Sequence, residues 1–531
     1  MSQADLILRN GRIYTMHPGQ PPQQALAIQG ERLVAVGDDA EIWRWNGPAT
    51  VELDLRGRAA FPGFIDAHVH LAGFARLLRR VDLAGVGTLR EAVERVATRA
   101  GQMPEDAWVL GGGWNHNLWP EGRFPRKEDA DGATGGRPLA LHSKDGHVLW
   151  TNSAALALAG IHRDTPDPAG GEIERDPASG EPTGLLKERA AGLVTRVIPE
   201  LSLEETAELL AEALPLIQGY GLTGVHDHEG AAPLGALQEL RRQGRLGTRV
   251  CASLPAGSLE WALGLGMRSG WGDEWLRLGG VKVFCDGALG ARTADMLEPY
   301  EGAPGQRGIE VTDAAALRQL ARLAAGGGLS LAIHAIGDRA NRQALDALEA
   351  AIRSGEGRGL RHRIEHVQLL HPDDIRRFGA LGVIASMQPI HCTSDMDMAD
   401  RHWGPRARWS YAWRSLLESG ARLAFGSDAP VESMQPLRGI HAAVTRQRPD
   451  GTPTGGWYPE ERLTVEQAVA AYTLGAAYAS GEESVKGSLV PGKLADVVVL
   501  SQDIFRIPPA EILATRVEHT ILGGQVVYSA P

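Results

Sequence analysis

Short apolar segments alternate with longer stretches of helical periodicity along the central part of the chain. Eight segments have the length and composition of buried strands, and amphipathic stretches such as 201–217 and 314–326 separate several of them. Alternating strands and helices predict a parallel sheet, and eight strands predict its closure into a (β/α)8 TIM barrel of the α/β class. The predicted strands are FPGFIDAHVH, LTGVHDH, TRVCASLP, GGVKVFCDG, LSLAIHAIGD, RHRIEHVQ, GVIASMQP and RLAFGSDAP.

Both ends of the chain instead show short strands joined by tight turns. The pairs Asn10-Gly11 and Gly523-Gly524 lie between apolar runs, and both tolerate positive φ, so each predicts a hairpin turn. Strands at both ends favour one small β-sandwich built from residues 1–60 and 481–531, although two separate edge hairpins also fit the pattern. Residues 61–480 then form the barrel.

The interval between the first two predicted barrel strands is too long for one connection. It is rich in Gly, Pro and Trp, and it predicts an insertion at about 101–200, above the barrel mouth. Its aromatic residues either form a wall that receives an apolar substituent of a substrate or pack the insertion itself. The aromatic and polar residues concerned are Trp114, His116, Trp119, His142, Asp145, His147 and Trp150.

Histidines stand at the ends of three predicted barrel strands. His68 and His70 are two residues apart and therefore share one face, although such a pair also occurs as a structural or surface feature. His334 and His366 end two later strands, where a lone histidine is more often a hydrogen-bonded core or loop residue. Because the strand ends share one mouth, the four histidines together predict a site for a zinc-like divalent metal.

Lys282 and Asp428 are two further polar residues of the predicted barrel strands that are candidates for a role in metal binding or proton transfer. Lys282 lies in an apolar strand, where a buried ammonium is costly unless a carboxylate such as Asp286 pairs with it. Alternatively, desolvation keeps the amine neutral, so that it adds carbon dioxide and bridges two metals as a carbamate. Asp428 is either a cap or turn residue or, beside a metal, a ligand that accepts a proton from water.

Composition narrows the function classes. A net charge of −11 argues against a nucleic-acid partner, which needs a basic face. No apolar run approaches the roughly 18 residues of a membrane span, and no signal peptide is evident, so a cytoplasmic location is expected. Three cysteines without CxxC spacing predict no disulfide framework. The sequence has no phosphate loop or dinucleotide fingerprint of a nucleotide-binding protein and no GxSxG elbow of a serine hydrolase. A small molecule is the expected substrate.

These motifs together resemble the amidohydrolase superfamily, and more narrowly amidohydrolase family 3, which includes N-substituted formamide deformylases. The resemblance implies a distorted TIM barrel with a small β-sandwich, a binuclear zinc centre and a homodimer. It covers nearly the whole chain and rests on GFIDAHVH, GGWNHNLWPEGRFPRKEDAD, GHVLWTNSAAL, GGVKVFCDGALGARTA, RIEHVQLLHPDDI, FGSDAPVESMQPL and GSLVPGKLADVVVL.

The resemblance also implies a role for each predicted ligand. His68 and His70 would hold the more buried ion, and His334 and His366 would hold the second. Lys282, carboxylated by carbon dioxide, would bridge both ions.

Asp428 would complete the first site and shuttle the proton. The implied reaction is hydrolysis of a carbon–nitrogen bond by a metal-activated bridging hydroxide, on a non-peptide amide such as an N-substituted formamide or N-acyl compound. One rival is a deaminase of the same superfamily with a single ion, in which His366 contacts the substrate and Lys282 does not bridge. Another is a non-catalytic assembly protein on the same fold, and failure of every amide substrate would favour an ester or lactone.

Substrate contacts are expected at five further positions in the insertion and near strand ends. His226 stands at the end of the second predicted strand, and its alternative role is to orient the metal ligands. The five are Trp114, His147, His226, Arg292 and Gln388.

Overall fold

The computed structural model describes residues 3–144, 146–355 and 357–531. Within them the chain forms two units. The first comprises Met1–Phe74 and Leu203–Pro531, and the second comprises Ala75–Ser202. The predicted insertion at 101–200 lies inside the second unit.

In the described part of the first unit, eight parallel strands form one sheet in chain order, which confirms the predicted barrel. Each strand hydrogen-bonds to the next, and each overlaps one of the predicted segments. Their residues are almost all buried, because a parallel barrel sheet is covered on both faces. The bounds are β1 Phe64–Val69, β2 Leu222–Asp227, β3 Arg249–Pro255, β4 Leu276–Phe284, β5 Ser330–Ala335, β6 Arg363–His366, β7 Ile384–Met387 and β8 Leu423–Phe425.

The barrel nearly closes where the chain beyond β8 approaches β1. Asp428 N donates to His68 O at 2.7 Å, and His70 N donates to Ala429 O at 2.8 Å. Gly426 lies so close to β1 that a Cβ at this position would be 2.5 Å from His68 N. His68 at the end of β1, His70 just after it and Asp428 after β8 are therefore held on directly hydrogen-bonded backbone.

Substitution of Gly426 by alanine is expected to lower the free energy of unfolding by about 1–3 kcal/mol, because the added methyl group has to displace a backbone amide. Urea unfolding followed by circular dichroism measures the change. Gly264→Ala is the matched control, since nothing lies within 4 Å of a Cβ built there. An unfolding midpoint of Gly426→Ala equal to that of the wild type would contradict the close approach.

Helices connect the strands of the barrel unit. None of the helices in the described residues has the length and apolarity needed to cross a membrane. The α-helices that begin in this unit are Asp39–Ile42, Leu71–Arg79, Leu203–Gly219, Ala231–Arg242, Leu259–Gly264, Ala314–Gly326, Asp338–Arg353, Pro372–Leu381, Pro389–Trp403, Trp413–Glu418, Pro436–Thr445, Val465–Ala470 and Ala476–Ala479. A π-helical turn spans Ala471–Gly475, and 3-10 helices span Trp43–Trp45, Ala256–Ser258, Gly404–Trp409, Pro459–Glu461 and Pro509–Ala514.

The chain ends form two further sheets with a shared apolar core. The four-stranded sheet consists of Leu6–Arg9, Ala25–Gln29, Arg32–Gly37 and Val51–Asp54. The five-stranded sheet consists of Arg12–Ile13, Ala59–Pro62, Val497–Leu500, Val517–Leu522 and Gln525–Ser529. The core buries side chains of both sheets, including Leu8, Ile28, Ala60, Val497 and Ile521.

The two predicted hairpin turns have different outcomes. The turn at Gly523-Gly524 is confirmed, since its flanking strands pair antiparallel and both glycines have positive φ. The hairpin at Asn10-Gly11 is wrong, although Asn10 has a φ of 53°. The strand before it joins the four-stranded sheet and the strand after it joins the five-stranded sheet. The turn therefore crosses between layers, because residues on both sides of it are buried in the core that the two sheets share.

The second unit contains a six-stranded sheet and its own apolar core. The strands are Val81–Asp82, Val109–Trp114, Leu139–Ser143, Val148–Thr151, Gly171–Arg175 and Pro182–Glu188. The helices wholly within it are Leu89–Ala100, Lys127–Asp131, Ser153–Leu158 and Ala191–Thr195, with a 3-10 turn at His116–Leu118. Trp114, Trp119 and Trp150 are buried in the core of this unit, which agrees with the packing interpretation of its tryptophans. Asp145 lies outside the described residues.

Candidate metal centre

The six predicted ligands stand at the carboxyl ends of barrel strands, the edge at which such barrels place their reactive groups. Five strands contribute, namely β1, β4, β5, β6 and β8. Four of the six side chains are buried, and those of His70 and His334 are partly buried. The structure brings all six side chains together. They are His68, His70, Lys282, His334, His366 and Asp428.

Asp428 faces histidines with both of its carboxylate oxygens. Its Oδ1 lies 3.2 Å from His70 Nε2 and 3.5 Å from His68 Nε2. Its Oδ2 lies 3.2 Å from Nε2 of His391, a buried residue of helix Pro389–Trp403. Burial opposes ionisation, but hydrogen bonds from His391 and His70 hold the pKa of Asp428 well below its usual range. With a φ of 61°, Asp428 adopts a left-handed conformation that is unfavourable for a non-glycine residue and is typical of functional positions.

His334 and His366 have adjacent rings, with centroids 4.5 Å apart. His334 Nε2 donates to the Gly287 carbonyl at 2.9 Å, and His366 Nδ1 donates to Gln388 Oε1 at 2.8 Å. These bonds leave a lone pair on His334 Nδ1 and on His366 Nε2. Burial lowers the pKa of His334 to about 3 and holds that of His366 well below its usual value, so both rings are neutral, as metal ligation requires.

His68 is fixed by a carboxylate on the side of its ring away from Asp428. Its Nδ1 lies 2.6 Å from Glu365 Oε2, and both side chains are almost completely buried. Burial lowers the pKa of His68 to about 4, with the nearby Lys282 as a further cause. A neutral ring that donates from Nδ1 presents the lone pair of Nε2 to the centre.

Lys282 is buried without a carboxylate partner in the described part of the chain. Its Nζ lies 3.4 Å from His68 Nε2 and 5.2 Å from the centroid of the Phe284 ring. The partner considered from sequence, Asp286, instead accepts hydrogen bonds from three backbone amides and lies 3.4 Å from His334 Nε2. Burial lowers the pKa of Lys282 to about 8, which favours the neutral amine over the same group in water.

The donor set fits divalent cations. Ligand atoms of His68, His70 and Asp428 lie within 4.8 Å of one another. The imidazoles of His334 and His366 add two further nitrogen atoms with lone pairs. Imidazole nitrogens combined with a carboxylate are ligands that zinc prefers.

Comparison with known proteins decides the family, because a sequence model described as the amidohydrolase family matches residues 51–528. The chain belongs to the amidohydrolase family. It is 37% identical over 99% of its length to Protein LONG AFTER FAR-RED 3 of Arabidopsis thaliana, of which it covers 92%. It is 30% identical over 99% of its length to the N-substituted formamide deformylase of Arthrobacter pascens, of which it covers 98%. A solved structure of an uncharacterized metal-dependent hydrolase from Pyrococcus furiosus superposes with a TM-score of 0.79 at 32% identity, over 94% of this chain and 100% of that chain.

The resemblance to amidohydrolase family 3 seen in the sequence is thereby confirmed. The chain has the fold of the family's metal-dependent hydrolases, and the matches support its assignment as a hydrolase.

Two predicted substrate contacts of this family member lie at the metal centre but face protein groups. Gln388 is buried, and its Oε1 accepts a hydrogen bond from His366 Nδ1. His226 is buried at the end of β2, and its Nδ1 lies 2.8 Å from a guanidinium nitrogen of Arg363. A substrate role for Gln388 and for His226, and the alternative role of His226 in orienting the ligands, stay predictions.

The other three predicted substrate contacts are Arg292, Trp114 and His147. Arg292 is exposed in the segment after β4 and has a φ of 52°. Trp114 and His147 belong to the second unit. Trp114 is buried, with its Nε1 donating to Leu141 O at 2.9 Å, and His147 Nδ1 lies 2.9 Å from Glu188 Oε1. A substrate role for these three residues stays a prediction.

Sequence reasoning missed two buried groups that touch predicted ligands. Glu365 stands beside His366 in RIEHVQ, and a charged residue in a buried strand is the same signal that identified Lys282. His391 follows Gln388 by three residues, and only the packing of its helix brings it to Asp428. Nothing in the local sequence distinguishes His391 from a core histidine.

Proposed function

We propose that this amidohydrolase cleaves a carbon–nitrogen bond of a non-peptide amide, such as an N-substituted formamide or another N-acyl compound. The observation that carries the proposal is the buried amine of Lys282, placed without a carboxylate partner among four histidines and Asp428. A lysine in this setting is suited to carboxylation by carbon dioxide and not to a structural ion pair. The formamide deformylase relative, 30% identical over nearly the full chain, supports the choice of bond.

The donor set would hold two divalent cations, with zinc as the expected metal. Carboxylated Lys282 would lie between the ions. The remaining ligands divide into two groups, which are His68, His70 and Asp428 for one ion and His334 and His366 for the other. Bound ions of this kind polarise a carbonyl and lower the pKa of water to near neutrality.

Asp428 is placed to move the proton of the reaction. Amide hydrolysis forms a bond from carbon to the oxygen of water, breaks the carbon–nitrogen bond and transfers a proton from water to the leaving amine. Asp428 would accept that proton and deliver it to the amine nitrogen. His391, 3.2 Å from Oδ2, would keep the carboxylate in one orientation while Oδ1 faces His68 and His70.

Two features of this chain argue against the rival functions. A deaminase with one ion has no use for a buried lysine amine next to the ligands, whereas Lys282 lies 3.4 Å from His68 Nε2. A non-catalytic relative would be free to lose ligands, yet all six predicted positions are occupied by ligand-type residues. A cytoplasmic location and a homodimer stay predictions from the sequence.

Metal removal combined with a substrate panel tests the proposal. Chelation is expected to abolish hydrolysis, and reloading with zinc to two ions per chain is expected to restore it, with amine released from N-substituted formamides or other N-acyl amines. Mass spectrometry of the metal and an amine-specific assay give the two readouts. Hydrolysis of only the matched esters or lactones would contradict the bond assignment, and ammonia release at full activity with one ion per chain would favour the deaminase.

A further inference from the structure

A single buried guanidinium connects three side chains behind the candidate metal centre. Arg363 opens β6, and its side chain and that of Glu365 lie on the same face of the strand because they are two residues apart. Arg363 Nε lies 2.6 Å from Glu365 Oε1. Its two terminal nitrogens lie 2.8 Å from His226 Nδ1 and 2.5 Å from His228 Nε2.

The connection continues to a predicted metal ligand. The second oxygen of Glu365 lies 2.6 Å from Nδ1 of His68. The side chain of Arg363 is 6% exposed and that of Glu365 is fully buried, so water does not compete for these bonds. A guanidinium only donates hydrogen bonds, and therefore His226 Nδ1 and His228 Nε2 accept and both rings are neutral. One positive and one negative charge remain, and they pair with each other.

The guanidinium also occupies a position that a cation could otherwise take. Ligand atoms of His68, His228 and Glu365 lie within 4.8 Å of one another, which is a second group able to hold a metal. Arg363 donates to His228 Nε2 and forms an ion pair with Glu365 Oε1, so the atoms that would bind such an ion are already engaged by a cation. The ring nitrogen of His68 that is left for a metal ion is therefore Nε2, on the side of the ring away from Glu365.

We propose that Arg363 is a positioning residue for the metal centre, because its guanidinium, bound between Glu365, His226 and His228, fixes the carboxylate that holds His68 with Nε2 facing the metal. The inference rests on the proposed function, since it assumes that His68 binds metal. Without Arg363, Glu365 loses the ion-pair partner that holds it in place and compensates its charge. His68 then loses a rigid acceptor at Nδ1, and its ring is no longer held in one orientation.

Zinc affinity of the full chain tests this role directly. Arg363→Met is expected to bind zinc about 10- to 100-fold more weakly in competition with a chromophoric chelator, because outer partners of ligating histidines have effects of this size. Glu365→Gln, which keeps the size of the side chain, is expected to give a similar loss. Since both changes act on the same hydrogen bond to His68, the double variant should bind zinc little more weakly than either single variant.

Arg249→Met is the matched control. The side chain of Arg249 is 1% exposed, and its Nε lies 2.7 Å from Asp496 Oδ2, so its loss removes an equally buried guanidinium from a different ion pair. This variant is expected to be less stable and to keep the zinc affinity of the wild type. Equal losses of zinc affinity in Arg249→Met and Arg363→Met would show a general effect of stability and would overturn the proposal.

The remaining outcomes separate the inference from the proposed function. If the wild type binds zinc and both Arg363→Met and Glu365→Gln bind it equally well, the positioning role is wrong and the metal centre stands. If Arg363→Met does not fold, Glu365→Gln decides alone, and wild-type affinity in that variant overturns the proposal. If the wild type binds no zinc or other divalent cation, the proposed function fails together with the inference.

Discussion

Replacement of Lys282 by alanine is expected to remove most of the bound metal and to reduce kcat/KM by at least about 1,000-fold, equivalent to about 4 kcal/mol of transition-state stabilisation. The lysine amine lies 3.4 Å from His68 Nε2 and would, once carboxylated, supply the ligand shared by both ions. Its loss would leave fewer ligands for the two proposed ions. No other side chain described near Nζ can replace a bridging oxygen without moving.

Metal content per chain and steady-state kinetics on the same preparation measure this effect. Lys486→Ala is the matched control, because Lys486 is also a buried lysine but lies 2.6 Å from Glu482 Oε2 in an ordinary ion pair. The control is expected to lose stability and to keep its metal. Added acetate or formate is expected to restore part of the activity of Lys282→Ala, since a small carboxylate fits the space left by the side chain. A Lys282→Ala variant with two ions and the wild-type rate would refute the bridging role.

The barrel could be predicted because its strands are buried on both faces and therefore appear as short, nearly continuous apolar runs. Polar residues at the carboxyl ends of those runs then indicated the reactive edge, and His68, His70, His334, His366 and Asp428 were found in this way, whereas Lys282 was found as a charged residue within an apolar strand. The argument needs only the strand positions and the rule that parallel barrel strands end at one mouth. It does not depend on knowing which residues pack against each other.

Contacts between side chains from different strands and helices could not be predicted from the sequence. Arg363 and Glu365 are two charges on one face of a buried strand, a pattern visible in the sequence. Their partners, however, are His226 at the end of β2 and His228 just after it. His391 reaches Asp428 from the helix after β7. Such partners depend on how side chains of different elements pack together, and the periodicity of one segment gives no information about that packing.

The two turns near the chain ends show the same limit. Asn10-Gly11 and Gly523-Gly524 have similar local chemistry, and Asn10 and both residues of the second pair adopt positive φ. Only the second turn joins strands of one sheet. Turn chemistry fixes the local backbone, whereas long-range pairing decides which sheet each strand joins.

Asp428→Asn is expected to lower kcat by about 100- to 10,000-fold, the range in which general acid–base catalysis contributes, with a much smaller effect on bound metal. The amide keeps one oxygen that can face His68 and His70, but it cannot carry a proton from water to the leaving amine. It also replaces Oδ2, which lies 3.2 Å from His391 Nε2, with a group that donates and does not accept. The loss should therefore appear in kcat and not in KM.

A series of amides with progressively better leaving groups tests this role of Asp428. The loss in Asp428→Asn should shrink as the leaving amine needs less protonation, because the wild type then gains less from delivering the proton. Asp338→Asn is the control, since Asp338 is a buried carboxylate that accepts from Leu297 N at 2.8 Å at the start of a helix, and its kcat should stay near that of the wild type. If the loss in Asp428→Asn is the same for every leaving group and follows the loss of zinc, Asp428 acts only as a ligand and the proton passes through another group.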